Sequence, residues 1–570
     1  MPSKKKTDYK SLVLILLGSA VWSLTMVKSG LKYSYGMGFW GPNGHDGIWH
    51  ISLASSLARF SGEMPVFSGE VLKNYHLGFD ASLALLHLIT RLPFSLLYFQ
   101  ILPPLLAAAV GFAVYRFVTV WTGSKSAARW VLFFTYFGGS FGWLVSLVRF
   151  DRLGGESMFW SAQSISTLIN PPFAVSLIFL FSGLTYFILD RAHPRRLYFW
   201  IQILLFGLVG FYKVYAGVIV MSGLGLCSLQ DWIQGRRSRT LQIFAGSLVL
   251  FLLAFLPANS GSSGLLVWQP LWFLETMMGL SDRLDWSRFY QAMTNYRLGG
   301  NWIKAVPAYA VALAIFLAGN FGTRLLGFWH LKSHDRSISL SLTGIFLLQG
   351  IAIGIIFPMF FLQKGTPWNT IQFFYYSQIF AGILAGIAVD SFLQKQKKSN
   401  SILIITILAI LTLPTTFDTL RHYLPSRPPA KISNEEIEAL RFLSVIPDGV
   451  VLVPPFNRSR AQYGRLEPPR PLYAYESSAY VSAYSDHPVY MEDEVNLDIT
   501  GYDWHTRKSE LEAFFNTKNI DEARQFLNVN YIRYIYLSEV AFLRPRFSAT
   551  QLGFEGIFEN GQAAIWARTN

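Results

Sequence analysis

Long apolar stretches recur from near the N-terminus to Pro414, and no other feature of the 570-residue sequence restricts its fold as strongly. A helix that crosses a bilayer needs about 20 mostly apolar residues, because each backbone N–H and C=O must be satisfied within the segment. Such stretches run near Ser11 to Val27, Leu97 to Val120, Ala127 to Val148, Phe173 to Leu189, Leu197 to Gly210 and Val214 to Leu229. Others lie near Leu241 to Pro257, Val306 to Phe321, Leu340 to Phe361, Phe373 to Phe392 and Ile402 to Leu413. The length rule gives about eleven spans. Only 14% of residues are charged and the mean hydropathy is +0.33, so water is not the main solvent. The expected fold class is a polytopic α-helical membrane protein.

A net charge of +14 would point to nucleic acid in a soluble protein, but here the basic residues cluster in short connections between apolar stretches. These clusters are Lys4/Lys5/Lys6, Lys125/Arg129, Arg191/Arg195/Arg196, Arg236/Arg237/Arg239, Arg324/Lys332/Arg336 and Lys395/Lys397/Lys398. They alternate with poorly basic loops, which places the N-terminus in the cytoplasm and the C-terminal part outside. Segments 28–96, 149–172, 258–305 and 363–372 then face outward. The first apolar stretch lacks a small-x-small cleavage site and reads as an uncleaved span. Cys227 is the only cysteine, which excludes an intrachain disulfide.

The composition turns polar after Pro425. "PSRPPAKISNEE" reads as a linker ending in a helix cap, with Ser433 three residues before Glu436. Helix-then-strand signals follow, and Asn560-Gly561 favours a hairpin turn. The expected organisation is a transmembrane domain over 1–424, with interfacial helices in 28–96, and a soluble extracytoplasmic α/β domain over 425–570.

Candidate chemistry lies in the outward loops. "GFWGPNGHDGIWHISLASSLARF" sets a Gly/Pro/Asn turn before His45 and Asp46, then an amphipathic helix with Ile48, Leu53, Leu57 and Phe60 on its apolar face, suited to lying flat at the interface. His50 follows one turn after Asp46, and His76 and Asp80 are again four apart. These His and Asp residues suit metal binding or proton transfer, or are ordinary interfacial polar residues with Asp46 capping its helix. In "RFDRLGGESMFW", Asp151 and Glu156 flank a Gly-Gly turn. Lys213 sits between two apolar stretches, where a cation needs a partner or must snorkel to the surface. Lys364 is a second outward cation. No phosphate-binding Gly loop, HExxH or GxSxG is present, which argues against nucleotide hydrolysis.

Over roughly Ser11 to Arg239, these motifs resemble the C-type glycosyltransferases of multi-pass membrane architecture. "GHDGIWHISLA" is similar to that family's outward loop, in which an Asp precedes an interfacial helix. "NYHLGFDASLALLHLITRLPFSLLYFQILPPLL" looks like its re-entrant helix and next span, although the family often has Pro-Pro-Leu-Tyr where this chain has "LGFDASLAL". "GLVGFYKVYAG" is similar to its Gly-rich segment with a Lys near the donor phosphate, and "YVSAYSDHPVYMED" resembles parts of the outward domains of some members. The resemblance implies a polyprenyl-phosphate-linked sugar donor, a glycan, lipid or protein acceptor, and transfer at the outer face of the cytoplasmic membrane. Asp46 would be the base, within about 3 Å of the acceptor hydroxyl. Lys213, with Lys364 as a second cation, would hold the donor phosphate. Asp151 and Glu156 compete for the second acid. Some members use a divalent metal, Mg or Mn, and others none, so His45, His50 and His76 leave the cofactor open.

The leading expectation is therefore an inverting glycosyltransferase. A transporter or flippase of lipid-linked glycans, which should show paired halves and broken midplane helices, and a non-catalytic envelope assembly protein are the alternatives. The chain shows no such internal symmetry.

Overall fold

A computed structural model describes residues 8–236, 239–259, 261–262, 264–333, 341–463, 468–538 and 544–569. Lys4, Lys5, Lys6, Arg237 and Arg336 lie outside them. Every expected apolar stretch contains helix. Among the described residues seven helices are long and apolar enough to cross a membrane: Phe94–Thr122, Pro171–Ala192, Val214–Ile233, Trp302–Trp329, Leu342–Phe360, Pro367–Leu393 and Lys398–Tyr423. Three further stretches are shorter helices, Tyr9–Ser23, Arg196–Tyr212 and Arg239–Phe255, of 15, 17 and 17 residues.

Local chemistry starts and stops these helices. The Ser124 side chain accepts from Ala127 N, and Asn170 caps Pro171–Ala192, whose first residue is a proline that needs no N–H partner there. Gly123, at φ +71, ends the helix Leu102–Thr122 in the left-handed conformation that glycine adopts without strain. Small residues let the helices close up. A Cβ at Gly18 would stand 2.2 Å from the Tyr136 ring, so Tyr136 fixes the approach of the first helix to its neighbours.

Ion pairs gather the ends of several helices. Asp190 accepts from Arg239 (2.6 Å) and Asp231 from Arg191 (2.7 Å), which brings together the end of Pro171–Ala192, the end of Val214–Ile233 and the start of Arg239–Phe255. Asp8 pairs with Arg129 (3.3 Å) at the start of two other helices. Helices Arg196–Tyr212 and Val214–Ile233 therefore run up from and back to this charged end, with Lys213 at the opposite turn.

Three sequence expectations are corrected. The stretch near Ala127 to Val148 is not one straight span but two helices, Lys125–Phe137 and Gly142–Phe150, bent by 42°. The break occurs at Gly138 and Gly139; a Cβ on Gly138 would meet the Arg324 guanidinium at 2.4 Å. Arg324, placed by charge pattern on a cytoplasmic loop, is instead enclosed in the helical body at 1% exposure, donating to Gln163 Oε1 and Ser164 Oγ, both at 2.8 Å. The helix Asp46–Ala58 has no wet face: every residue from Gly47 to Ser56 is buried, and Phe60 of its expected apolar face is 87% exposed. Its polar side is covered by the C-terminal part of the chain, where Ser52 Oγ meets Ser482 Oγ at 2.7 Å and Ser55 Oγ donates to Asp486.

The first outward loop and the C-terminal part share a sheet. Its strands run Lys32–Tyr33, Gly36–Phe39, Ala430–Ile432, Arg470–Pro471, and Gly36 (φ +113) leaves no room for a Cβ beside Ile432 O. A second sheet orders Val450–Leu452, Ile532–Ser538, Ala563–Arg568 and Phe554–Glu559, with the first two strands parallel and the rest antiparallel. The Asn434–Ser444 helix begins with the capping box of Ser433 and Glu436. Arg507 lies 3.6 Å from the Phe67 ring and donates to Ser68 O, adding a further tie between loop and domain.

Two buried carboxyls make the C-terminal part pH-sensitive. Burial pushes Glu436 up to about 7 and Glu492 up to about 8 from an ordinary 4.5, against the hydrogen bonds that Ser433 and Ser482 donate to them. Between those values the folded chain holds protons that the unfolded chain has released. Stability therefore falls as pH rises from the ordinary carboxyl range toward 8 and levels off on either side. Thermal unfolding of the full-length protein is expected to shift to lower temperature across that window, and Glu492→Gln to flatten the shift; an unfolding temperature that rises with pH would contradict it.

Candidate active site

The turn "GPNGHDG" is held rigidly. Asn43, 1% exposed, donates from Nδ2 to Thr25 O (3.0 Å) and Ser29 Oγ (3.1 Å), and a short 3₁₀ turn over Gly41–Gly44 leads into His45. Asp46 opens the next helix, but its side chain does not cap it: the cap position is His45, with no side-chain cap bond. The Asp46 carboxylate is instead 49% exposed and accepts from His45 Nδ1 at 2.9 Å. His45 Nε2 meets Asp493 Oδ1, from the C-terminal domain, at 3.2 Å. Burial opposes a charge on this imidazole, but Asp493 and Asp46 outweigh it and hold its pKa well above the ordinary value. With both nitrogens protonated, His45 donates to both carboxylates. One Asp46 oxygen is then oriented while the rest of the carboxylate stays open.

Asp493 is anchored in turn. It caps the helix Glu494–Thr500, accepting from Asn496 N (3.2 Å) and Asn496 Nδ2 (2.8 Å), and its own backbone takes a left-handed φ of +54. A non-glycine residue at positive φ stores strain that the surroundings must hold, a feature that concentrates at functional sites.

Lys213 sits across from this line. It interrupts the helices in an extended conformation (φ −155, ψ 109) and is 2% exposed. Its Nζ donates to Asn170 Oδ1 at 3.3 Å and lies 5.3 Å from the Tyr215 ring centre, and the charge it feels is that of Asp46. Asn170 Nδ2 continues to Gln372 Oε1 (3.4 Å), Gln372 bonds Asn369, and Asn369 Nδ2 reaches Gln363 Oε1 (2.7 Å). The amine is thus held by a neutral amide, and burial lowers its pKa to about 7 against the pull of Asp46. A buried ammonium without a paired anion is costly, and an incoming anion would relieve that cost.

The remaining candidates separate. Glu156 lies under the site: Tyr375 and Tyr423 each feel both Glu156 and Asp46. Its Oε1 accepts from Gln163 N and Ser166 Oγ, both at 2.7 Å, and burial raises its pKa against those bonds. Asp151 is exposed at a helix C-terminus with φ +50 and is not brought to Asp46 by any of these contacts. Lys364 is exposed on the turn after the strand Phe361–Gln363, also outside the cluster. The His76/Asp80 spacing does not produce a pair. Asp80 instead accepts from His50 Nδ1 at 2.7 Å, both fully enclosed among Phe79 and Tyr98. His76 has a buried Nε2 with no hydrogen-bond partner, and burial, then Lys213 and His50, hold its pKa well below the ordinary value.

His50 and Asp80 therefore pin two helices together and do not face the opening. His50→Ala would leave a buried carboxylate unpaired and is expected to destabilise the protein by about 3–5 kcal/mol. Thermal unfolding in detergent checks this; turnover per folded molecule should stay near wild type.

Among the described residues no three His, Cys, Asp or Glu groups converge to hold a metal ion. Both nitrogens of His45 are engaged by carboxylates and His50 is turned to Asp80, so these side chains do not fit a divalent cation in this arrangement.

No family model matches the sequence. No curated protein matches it either. Solved structures do. Mycobacterial arabinofuranosyltransferase AftD superposes with a TM-score of 0.51 at 13% identity, over 99% of this chain and 40% of the larger protein. The chain therefore shares the fold of that arabinofuranosyltransferase over nearly its whole length. Two Archaeoglobus fulgidus structures also align over 93% of this chain. The oligosaccharyltransferase tethered to an acceptor peptide containing the NVT sequon has a TM-score of 0.49, with 10% identity and 69% of that chain covered. The oligosaccharyltransferase AglB with an inhibitory peptide and a dolichol-phosphate has a TM-score of 0.47, with 12% identity and 69% covered.

Asp493 escaped the sequence reading. The acidic run Glu492-Asp493-Glu494 amid aromatic residues was the available signal, but nothing local ties it to His45, which is 448 positions away.

Proposed function

We propose that this chain is a membrane glycosyltransferase that moves a sugar from a polyprenyl-phosphate donor to an acceptor hydroxyl, at the outer face of the cytoplasmic membrane with its N-terminus inside. One observation carries the reading: an oriented, half-open carboxylate, Asp46, acts electrostatically on a buried amine, Lys213, that has no ion-pair partner among the described residues. The fold shared with the arabinofuranosyltransferase supports this reading.

The chemistry follows from the two charges. Asp46 takes the proton of the acceptor hydroxyl as that oxygen attacks the anomeric carbon. The bond from that carbon to the phosphate oxygen breaks, and the bonding pair leaves with the polyprenyl phosphate. Lys213 stabilises the growing negative charge on that leaving group. A single displacement inverts the anomeric centre. His45, a positioning residue, keeps Asp46 aimed, and Asp493 keeps His45 charged.

Incubating the purified full-length protein with a labelled polyprenyl-phosphate sugar tests the proposal, with donor consumption compared between wild type and Asp46→Asn. Turnover that does not depend on Asp46 would remove the base assignment. Retention of anomeric configuration in the product would remove the single displacement.

A further inference from the structure

A cleft in the C-terminal domain, with a cavity volume of about 70 Å³, has neighbours of the Asp46–His45–Asp493 line in its wall. Its wall includes Glu492 and Glu494, the two neighbours of Asp493, and Ser477, whose Oγ accepts from Glu494 N at 3.0 Å. Glu476, also in the wall, feels the charges of His45, Asp46 and Asp493. Through Glu476 the cleft wall thus lies within electrostatic reach of the reacting carboxylate.

Its lining has an unusual polar composition. Ser478 is 5% exposed, and its Oγ meets no donor or acceptor of the chain within hydrogen-bonding distance. The Tyr536 hydroxyl, with Tyr480 and Glu436 nearby, and Ser538 Oγ, with Tyr473 nearby, also lack a hydrogen bond of acceptable length and angle. Three unsatisfied hydroxyls in one small enclosure are an arrangement that folding alone does not favour. Phe456, Met491 and the tyrosine rings provide apolar faces beside them. Among the described residues no Lys or Arg lines the cleft; Lys508 is turned to Glu494 at 2.7 Å, and Arg458 reaches Glu476 and Glu494 electrostatically without forming part of the lining.

We infer that this cleft is the acceptor subsite and takes a neutral polyhydroxylated group, the terminal sugar of a saccharide, whose hydroxyls satisfy Ser478, Tyr536 and Ser538. The inference rests on the glycosyl-transfer reading above. Glu476 and Glu494 on the wall disfavour a phosphorylated or carboxylated group, and a purely aliphatic group would leave the three hydroxyls unpaired. The C–H faces of a sugar ring suit the aromatic side, and its hydroxyls suit the other. Charge thus divides the site, with the anionic donor end at Lys213 and the neutral acceptor end at the outer domain.

Saturation-transfer NMR on the full-length protein in nanodiscs tests this with lactose, maltose and mannobiose at millimolar concentration. Galacturonic acid, glucose 6-phosphate and the peptide Asn-Val-Thr serve as competitors. At least one neutral disaccharide is expected to receive saturation from both wild type and Asp46→Asn, and the anions are not. Ser478→Ala and Tyr536→Phe should each weaken that binding by about 3- to 10-fold, the loss of one neutral hydrogen bond, at unchanged unfolding temperature. Absence of binding by all three disaccharides, binding unaffected by both variants, or preference for the peptide would overturn the inference. Failure of the glycosyl-transfer reading appears separately, as saccharide binding that persists while donor turnover proves independent of Asp46.

Discussion

Asp46→Asn is expected to lower donor turnover by about 10²- to 10⁴-fold, the usual contribution of a positioned general base. The substitution preserves shape and leaves an amide oxygen that still accepts from His45 Nδ1, so the turn and helix should form as before. What disappears is the ability to take a proton. Asp493→Asn offers the informative contrast. It leaves Asp46 in place but removes one of the two carboxylates that keep His45 charged against its burial. Its loss should be smaller than that of Asp46→Asn, and the pH dependence of turnover should move, because His45 would then give up its proton at lower pH. Equal losses in both variants, with no change in the pH profile, would mean that Asp493 only holds the fold together. Turnover of Asp46→Asn within a few-fold of wild type would remove Asp46 from the chemistry.

Lys213→Met is the second large effect. Removing a cation that stabilises a leaving phosphate should lower turnover by about 10²- to 10³-fold, as loss of one preorganised electrostatic contact does elsewhere. Stability should move the other way or stay level. Lys213 is buried, bonded among the described residues to the amide oxygen of Asn170, and a methionine of similar length removes an amine whose charged form burial already disfavours. A variant that melts no lower than wild type yet loses turnover would mark Lys213 as functional. A variant that unfolds early would instead make the Asn170 contact structural. The amide chain from Asn170 through Gln372 and Asn369 to Gln363 gives the same logic a second handle, since it positions Lys213 without adding charge.

Much of the architecture could be read directly. Apolar length announced the helices, because a bilayer gives a backbone no other way to satisfy itself. Ser124, Asn170 and Gly123 mark helix ends through bonds or dihedrals a few residues long, and the Ser433/Glu436 box does the same outside the membrane. The single extended residue at Lys213 and the turn before Asp46 were visible for the same reason. Each is set by its immediate neighbours.

Partnership was not visible. His50 faces Asp80, not the solvent, and His76 faces neither, because helix packing overrides four-residue spacing once both helices are enclosed. Charge pattern placed Arg324 in a cytoplasmic loop, whereas Gly138 and the bend after Phe137 open a buried socket for it next to Gln163 and Ser164. Between Asp151 and Glu156, only burial distinguishes the exposed helix end from the carboxylate that shares its tyrosines with Asp46.

The sequence by itself determined a helical membrane body, a polar C-terminal region and a loop carrying His45 and Asp46, since hydropathy and turn chemistry act over a few residues. Only the tertiary structure decided that the C-terminal region reaches into that loop. There it supplies Asp493 to His45 and a hydroxyl-lined cleft beside them. Such contacts depend on how segments hundreds of residues apart pack, and no local pattern encodes which carboxylate an imidazole will meet.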